Sequence, residues 1–307
     1  MPTTRASIRT ALLVLAGAAL GGASGAEQPT PAATTPPASV NRAVRSPGNA
    51  VWAANVTEAR AIAKADHKLV YYEFASKECG DCRRMQGLLY PAFEFEALLT
   101  GMVPVQVALS SADGTKLAEI YTISQEPSVL ITNPDGRLVF KMEGFQDAGD
   151  FYAHVHKDVD GYRKFAKVVD AQDVPRLSAA EAFSTGKALY ARFDFEGAAS
   201  RLARAAAAPD ATPEIRESAL MGLSAADRQL GNFPGARRAA EKVVATTKSP
   251  DQKERAELAL AEIALAEQKP GEALGLYKKF AKDHPKSPYL AKVNGFIARL
   301  QAAQPKS

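Results

Sequence analysis

Six small residues recur with one period through the second half of the chain. Gly186, Ser224 and Ala261 lie 38 and 37 residues apart, and Ala198, Ala236 and Ala273 follow each of them by 12. A turn-forming stretch stands just before each member of the second set: "FDFEG", "GNFPG" and "EQKPG". A fixed period in this range marks stacked structural units, and 177–303 is Ala-rich and helical in period almost throughout. Small residues let paired helices cross at close range. The spacing predicts three helix–turn–helix units, about 178–208, 212–247 and 251–284, with a closing helix over 287–301. An irregular Ala-rich bundle is the alternative. Nothing catalytic stands out here, and the Lys and Arg are spread as on solvated faces.

These units resemble tetratricopeptide repeats. The last copy places Ala273, Tyr277 and Pro285 where that repeat expects Ala, an aromatic and Pro; the other two are degenerate. The resemblance implies an all-α helical repeat domain over 176–303 that recruits or positions protein partners.

The first half is composed differently. Arg5 and Arg9 precede the uncharged run "ALLVLAGAALGGASGA", which ends in small residues. This predicts a secretory signal peptide over 1–26, an uncleaved anchor being the alternative, and the Ala-rich composition suggests the bacterial periplasm, an oxidising compartment. Residues 27–49, with "QPTPAATTPPAS", read as a disordered Pro-rich linker. Lys and Arg outnumber Asp and Glu by 38 to 34, and the two arginines of the leader account for half of that excess. No nucleic-acid partner is implied. From 50 to 172, β-branched runs alternate with helical stretches, and "DAQDVPRLS" supplies a joint at Pro175.

The only two cysteines, Cys79 and Cys82, sit together in "FASKECGDCRRMQ". A staple closing so short a loop removes little unfolded-state entropy. A metal site wants further Cys or His ligands, but His67, His154, His156 and His284 are scattered, so no metal is expected. A redox pair fits the flanks. "KLVYYEF" reads as a buried strand and "CRRMQGLLY" as a helix with Met85, Leu88 and Leu89 at helical spacing. The unpaired amides of the helix's first turn stabilise a thiolate on the first sulfur. Cys79 is therefore expected to attack, and Cys82 to resolve the mixed disulfide.

From Trp52 onward the sequence resembles the secreted thioredoxin-like domains: a Trp, an amphipathic helix, a basic turn, the strand and then the cysteines. "MVPVQVAL" follows as a strand, "SSADGTKLAEIYTI" as a helix entered at Ser111 or Asp113, and "SQEPSVLITNPDGRLVFKMEGF" as a hairpin turning at 133–136. "FQDAGDFYAHVHKDVDGYRKF" closes the domain as a helix. The resemblance implies an α/β thioredoxin-like domain over 50–172, a cis-proline at Pro127, and a buried acid at Glu73 that moves protons during exchange. It further implies that the backbone of Glu126, Pro127 and Ser128 pairs with an extended substrate. Two departures bear on redox tuning: Glu78 stands where thioredoxins usually carry Trp, and Gly80-Asp81 where Gly-Pro is commoner. Both add negative charge beside the thiolate. The expected function is a periplasmic thiol-disulfide oxidoreductase, a reductase or isomerase before a strong oxidase, acting on protein thiols or disulfides without a cofactor. A non-catalytic assembly scaffold and a thiol or peroxide sensor are the competing readings.

Overall fold

Every residue of β1 (Leu69–Phe74) after the first is buried, as a central strand covered on both faces requires. β1 pairs in parallel with β2 (Met102–Val107) and antiparallel with β3 (Ser128–Thr132). β3 pairs antiparallel with β4 (Leu138–Glu143), so the sheet order is β2-β1-β3-β4. These elements belong to a computed structural model that describes residues 51–303. The leader expected over 1–26 and the linker expected over 27–49 lie outside the described residues.

The period-two alternation of β1 sorts its side chains between two cores. Val70, Tyr72 and Phe74 pack under α1 (Val56–Ala65) and α4 (Ala112–Tyr121), with Ala59, Val105, Leu117 and Leu130. Tyr71 packs on the other face, with Met85 and Leu89 of α2 (Gly80–Leu89), Phe95 of α3 (Phe93–Leu99), and Phe151 and Val155 of α5 (Ala148–Asp170). The hairpin turns where expected: the Gly136 amide donates to the Asn133 carbonyl, and Gly136 takes φ +100°, which favours glycine. Ser111, not Asp113, caps α4, its hydroxyl accepting from the Gly114 amide. The separate helix α3 has no counterpart in the sequence reading; the chain breaks before it at Pro91, which lacks the amide needed to continue α2.

An all-helical region follows this α/β thioredoxin-like domain: α6 (Ala179–Tyr190), α7 (Phe195–Ala207), α8 (Pro213–Gln229), α9 (Phe233–Thr246), α10 (Pro250–Ala266), α11 (Pro270–Asp283) and α12 (Leu290–Ala302). Each helix packs on the next. All six periodic small residues are buried. A Cβ on Gly186 would come within 2.8 Å of Leu202 Cγ, and the Ser224 hydroxyl donates to the Ala236 carbonyl at 2.8 Å. These are the close crossings that the period predicts. Ser178, Thr212 and Ser249 cap the first helix of each pair, each side chain accepting an amide one turn in.

Contacts cross the joint on both sides of Pro175, which lies in a short 3₁₀ turn, Val174–Arg176. Val169 of α5 is buried in the helical core with Leu177, Ala182 and Leu202. The Arg137 guanidinium, from the hairpin, bridges Asp170 and Asp194 at 2.9 and 2.8 Å. Among the described residues, no helix is long and apolar enough to cross a membrane.

Candidate functional site

The strand-to-helix switch after β1 places the cysteines. Cys79 is the N-cap of α2, and its sulfur accepts the Cys82 amide at 3.0 Å. The two are joined as a disulfide. Cys79 is half-exposed, whereas Cys82, one turn in and facing the core, is only 1% exposed. The sulfur nearest solvent is therefore the one that a free helix-end amide addresses, an arrangement suited to a stabilised attacking thiolate.

Glu73, expected as a buried acid, is 1% exposed near the end of β1. Its Oε2 accepts the Tyr90 hydroxyl at 2.5 Å and the Gln106 amide at 3.1 Å. Burial pushes its carboxyl above the ordinary range, and the hydrogen bonds from Tyr90, Gln86 and Gln106 oppose this. Burial and the adjacent Glu73 charge in turn push the Tyr90 hydroxyl far up, so it stays a donor. Gln106 is itself exposed. With Gln86 it lines a groove of about 670 Å³ that also takes in Ala75, Ser76, Lys77, Glu78, Arg83, Ala108 and Ser110. Glu73 is thus shut off from bulk water, while two of its partners, Gln86 and Gln106, line an open groove that reaches Glu78 and Arg83 on either side of the cysteine pair in sequence.

The Glu126–Pro127 peptide is cis. The Pro127 carbonyl is taken by the Gly144 amide at 2.8 Å, and Ser128, buried, donates its hydroxyl to the Gln125 carbonyl. Glu126 makes no backbone hydrogen bond among the described residues. Its carboxylate accepts the Leu109 amide at 2.8 Å, and a carboxylate oxygen lies with both sulfurs in a cluster whose members are all within 4.8 Å of one another.

Glu78, Gly80 and Asp81 are all exposed on the rim. A Cβ on Gly80 would meet only the end of Arg83, at 3.9 Å, so space does not demand a glycine there. The neighbouring cations are engaged elsewhere. Arg83 donates to the Lys77 carbonyl, and Arg84 stacks on the Phe145 ring, its Cζ 4.4 Å from the centroid.

The structure brings Cys79, Cys82 and the Glu126 side chain together, while Glu73 is buried on β1 with Tyr90, at the end of α2, and Gln106 as its hydrogen-bond partners. Sequence reasoning missed Tyr90, Gln106 and the Glu126 carboxylate. A signal for Gln106 was present: it is the one polar residue in "MVPVQV", and it pairs in register with Glu73, the one acid in "LVYYEF".

A family model agrees with this fold. The model of a family described as a thioredoxin-like domain matches residues 56–157, about a third of the chain. The solution structure of a thioredoxin from Thermus thermophilus is 23% identical, with a TM-score of 0.30, over 33% of this chain and 80% of that one. A structure titled DsbH Oxidoreductase is 18% identical, with a TM-score of 0.32, over 37% of this chain and 86% of that one. No curated protein matches the chain. A thioredoxin-like domain that carries a Cys-X-X-Cys pair points to redox chemistry.

Proposed function

We propose that the protein is a thiol-disulfide oxidoreductase of the periplasm, exported by the leader at 1–26 and tethered to it until cleavage by the linker at 27–49. In this reading 50–172 is the exchange domain and 176–303 a tetratricopeptide-type domain that recruits protein partners. The observation that carries it is the asymmetry of the pair: Cys79 half-exposed at a helix N-terminus and Cys82 buried one turn in.

Cys79, as thiolate, attacks a substrate disulfide, forming a mixed disulfide and releasing one substrate thiol. Cys82 then gives up its proton and attacks Cys79 sulfur, which frees the second substrate thiol and leaves the protein as the disulfide. Glu73 takes up that proton and releases it to water in the groove that Gln86 and Gln106 line. The free backbone of Glu126 receives the substrate as an added strand, next to Pro127 and Ser128. Asp81 and Glu78 disfavour negative charge on Cys79 and so destabilise the reduced form, which makes the protein a better reductant than oxidant. Insulin reduction with dithiothreitol tests the reading. The full chain should accelerate it, Cys79→Ser should abolish it, and Cys82→Ser should trap mixed disulfides. No acceleration by the wild type would favour the scaffold reading instead.

A further inference from the structure

Among the described residues, Cys79, Cys82 and Glu126 are the one set of three His, Cys, Asp or Glu side chains whose donor atoms converge, all within 4.8 Å of one another. We propose that the reduced protein binds a thiophilic divalent cation, zinc best of all, through the two thiolates and the Glu126 carboxylate. The proposal asks only that the disulfide be reducible, and so stands apart from the exchange reading.

The donors suit the ion. Zinc takes thiolate at about 2.3 Å and carboxylate at about 2.0–2.2 Å, which sets tetrahedral donors roughly 3.3–3.8 Å apart. The two sulfurs, bonded to each other in the disulfide, move apart on reduction, and the carboxylate oxygen then closes on them by about an ångström. The Leu109 amide already holds one oxygen of Glu126, the kind of outer contact that orients a ligating carboxylate. Half-exposed Cys79 leaves the fourth position open to water or to a substrate atom. Charge argues the same way. Reduction places two ionisable sulfurs beside a carboxylate, and a cation offsets the repulsion that follows. The sequence-level case against a metal counted histidines and nearby cysteines, whereas Glu126 arrives from 44 residues beyond Cys82.

Binding transfers no electrons: the dithiol takes up one zinc ion and releases two protons. In the disulfide each sulfur is bonded to the other and carries no charge, so the site opens when a dithiol or phosphine reductant converts the disulfide to thiols, and closes when a disulfide takes the pair's two electrons and is reduced to two thiols, with release of zinc. While zinc is bound, the metal draws charge from the Cys79 sulfur and slows its attack on a disulfide. Where the exchange reading holds, the site is therefore also a brake on exchange.

The test uses the full chain, reduced with a phosphine and kept anaerobic. Zinc is titrated against a chromophoric chelator, and cobalt substitution and X-ray absorption report the ligands. One zinc per reduced chain and none per oxidised chain is expected, with two sulfurs and the remaining ligands oxygen or nitrogen. Glu126→Gln, whose amide oxygen still accepts from Leu109, should weaken binding at least 10-fold, within the range set by losing a tuned ligand partner. Absence of binding by the reduced wild type overturns the proposal. So does equal affinity in Glu126→Gln, or a four-sulfur site shared between two chains. Insulin reduction in metal-free buffer is scored separately, so loss of exchange activity and loss of zinc binding are told apart.

Discussion

At the scale of single residues, Glu73 carries the clearest pH signature. Burial raises its carboxyl above the ordinary value, against the opposing hydrogen bonds. Between the ordinary carboxylate range and that raised value, the folded chain keeps a proton that the unfolded chain has released. Stability therefore falls as pH rises through that window. Glu73→Gln cannot ionise, and its amide oxygen can accept from both Tyr90 and Gln106. Melting curves should show the variant more stable than wild type at about pH 8 and equal to it at about pH 4, while disulfide reduction drops roughly 100-fold, as for a lost acid-base group. A wild type that gains stability relative to the variant on going to high pH would mean that Glu73 is ionised without penalty. Asp81 gives a second prediction. Asp81→His removes a negative charge beside Cys79, so the reduced form gains stability and the potential in a glutathione titration should rise by tens of millivolts, about 30 mV per 1.4 kcal/mol. An unchanged or more negative potential would remove the electrostatic basis for a reductase. The position of Glu73 came from the resemblance to thioredoxin-like domains, and the tuning expected of Asp81 from its charge between the two cysteines. The Glu126 carboxylate was not legible, because its value comes from tertiary proximity across 44 residues, and nothing in the local "SQEPS" distinguishes it from a surface acid.

At the scale of elements, the helix–turn–helix pairs reuse one joint with uneven success. The residue that ends the first helix is left-handed in all three: Phe193 at φ +61°, Gly231 at +73° and Gln268 at +58°. The amide after it reaches back to the carbonyl five residues earlier, at Leu189, Asp227 and Ala264 respectively. The period was visible in the small residues because close crossing tolerates few side chains. The joint geometry was not, because only one of its three copies uses the glycine that signals it. The next position caps the second helix. Asp194 and Asn232 accept the Gly197 and Gly235 amides, but Lys269 has no side-chain acceptor. Its backbone, φ −109° and ψ 66°, is close to that of Asn232, φ −80° and ψ 63°. Lys269→Asn should therefore supply the missing cap and stabilise the chain by about 1 kcal/mol in urea unfolding. No gain would mean that the Lys269–Glu267 ion pair already does that work.

At the scale of the molecule, the hairpin of the thioredoxin-like domain is bound to the first helical turn by groups from both sides. The Leu138 amide donates to the Arg192 carbonyl at 2.7 Å, and the Arg192 side chain donates to the Leu138 carbonyl at 2.9 Å. The Phe193 ring lies 5.1 Å from the Tyr121 ring. Phe193 accepts a backbone conformation that costs a side chain about 1–2 kcal/mol, and its packing on Tyr121 explains why glycine does not stand there as it does at 231. Arg137, its side chain 14% exposed, ties the same turn to the end of α5 through Asp194 and Asp170. Removing one partner of a fully buried pair costs about 3–5 kcal/mol; Asp170 is largely exposed, so Arg137→Ala should cost about 2 kcal/mol, much of it from leaving Asp194 without its cation. Phe193→Gly relieves the backbone but loses the ring, for a net loss of about 1 kcal/mol. The wild type should unfold in one calorimetric transition, because the Arg137 and Phe193 contacts add to that of Val169, which alone ties only the last turn of α5 into the helical core. The double variant should separate the helical transition from that of the thioredoxin-like domain, with insulin reduction per folded molecule unchanged, since neither residue approaches the cysteines. Two transitions in the wild type, or a double variant that still melts as one unit, would show that these contacts do not couple the halves.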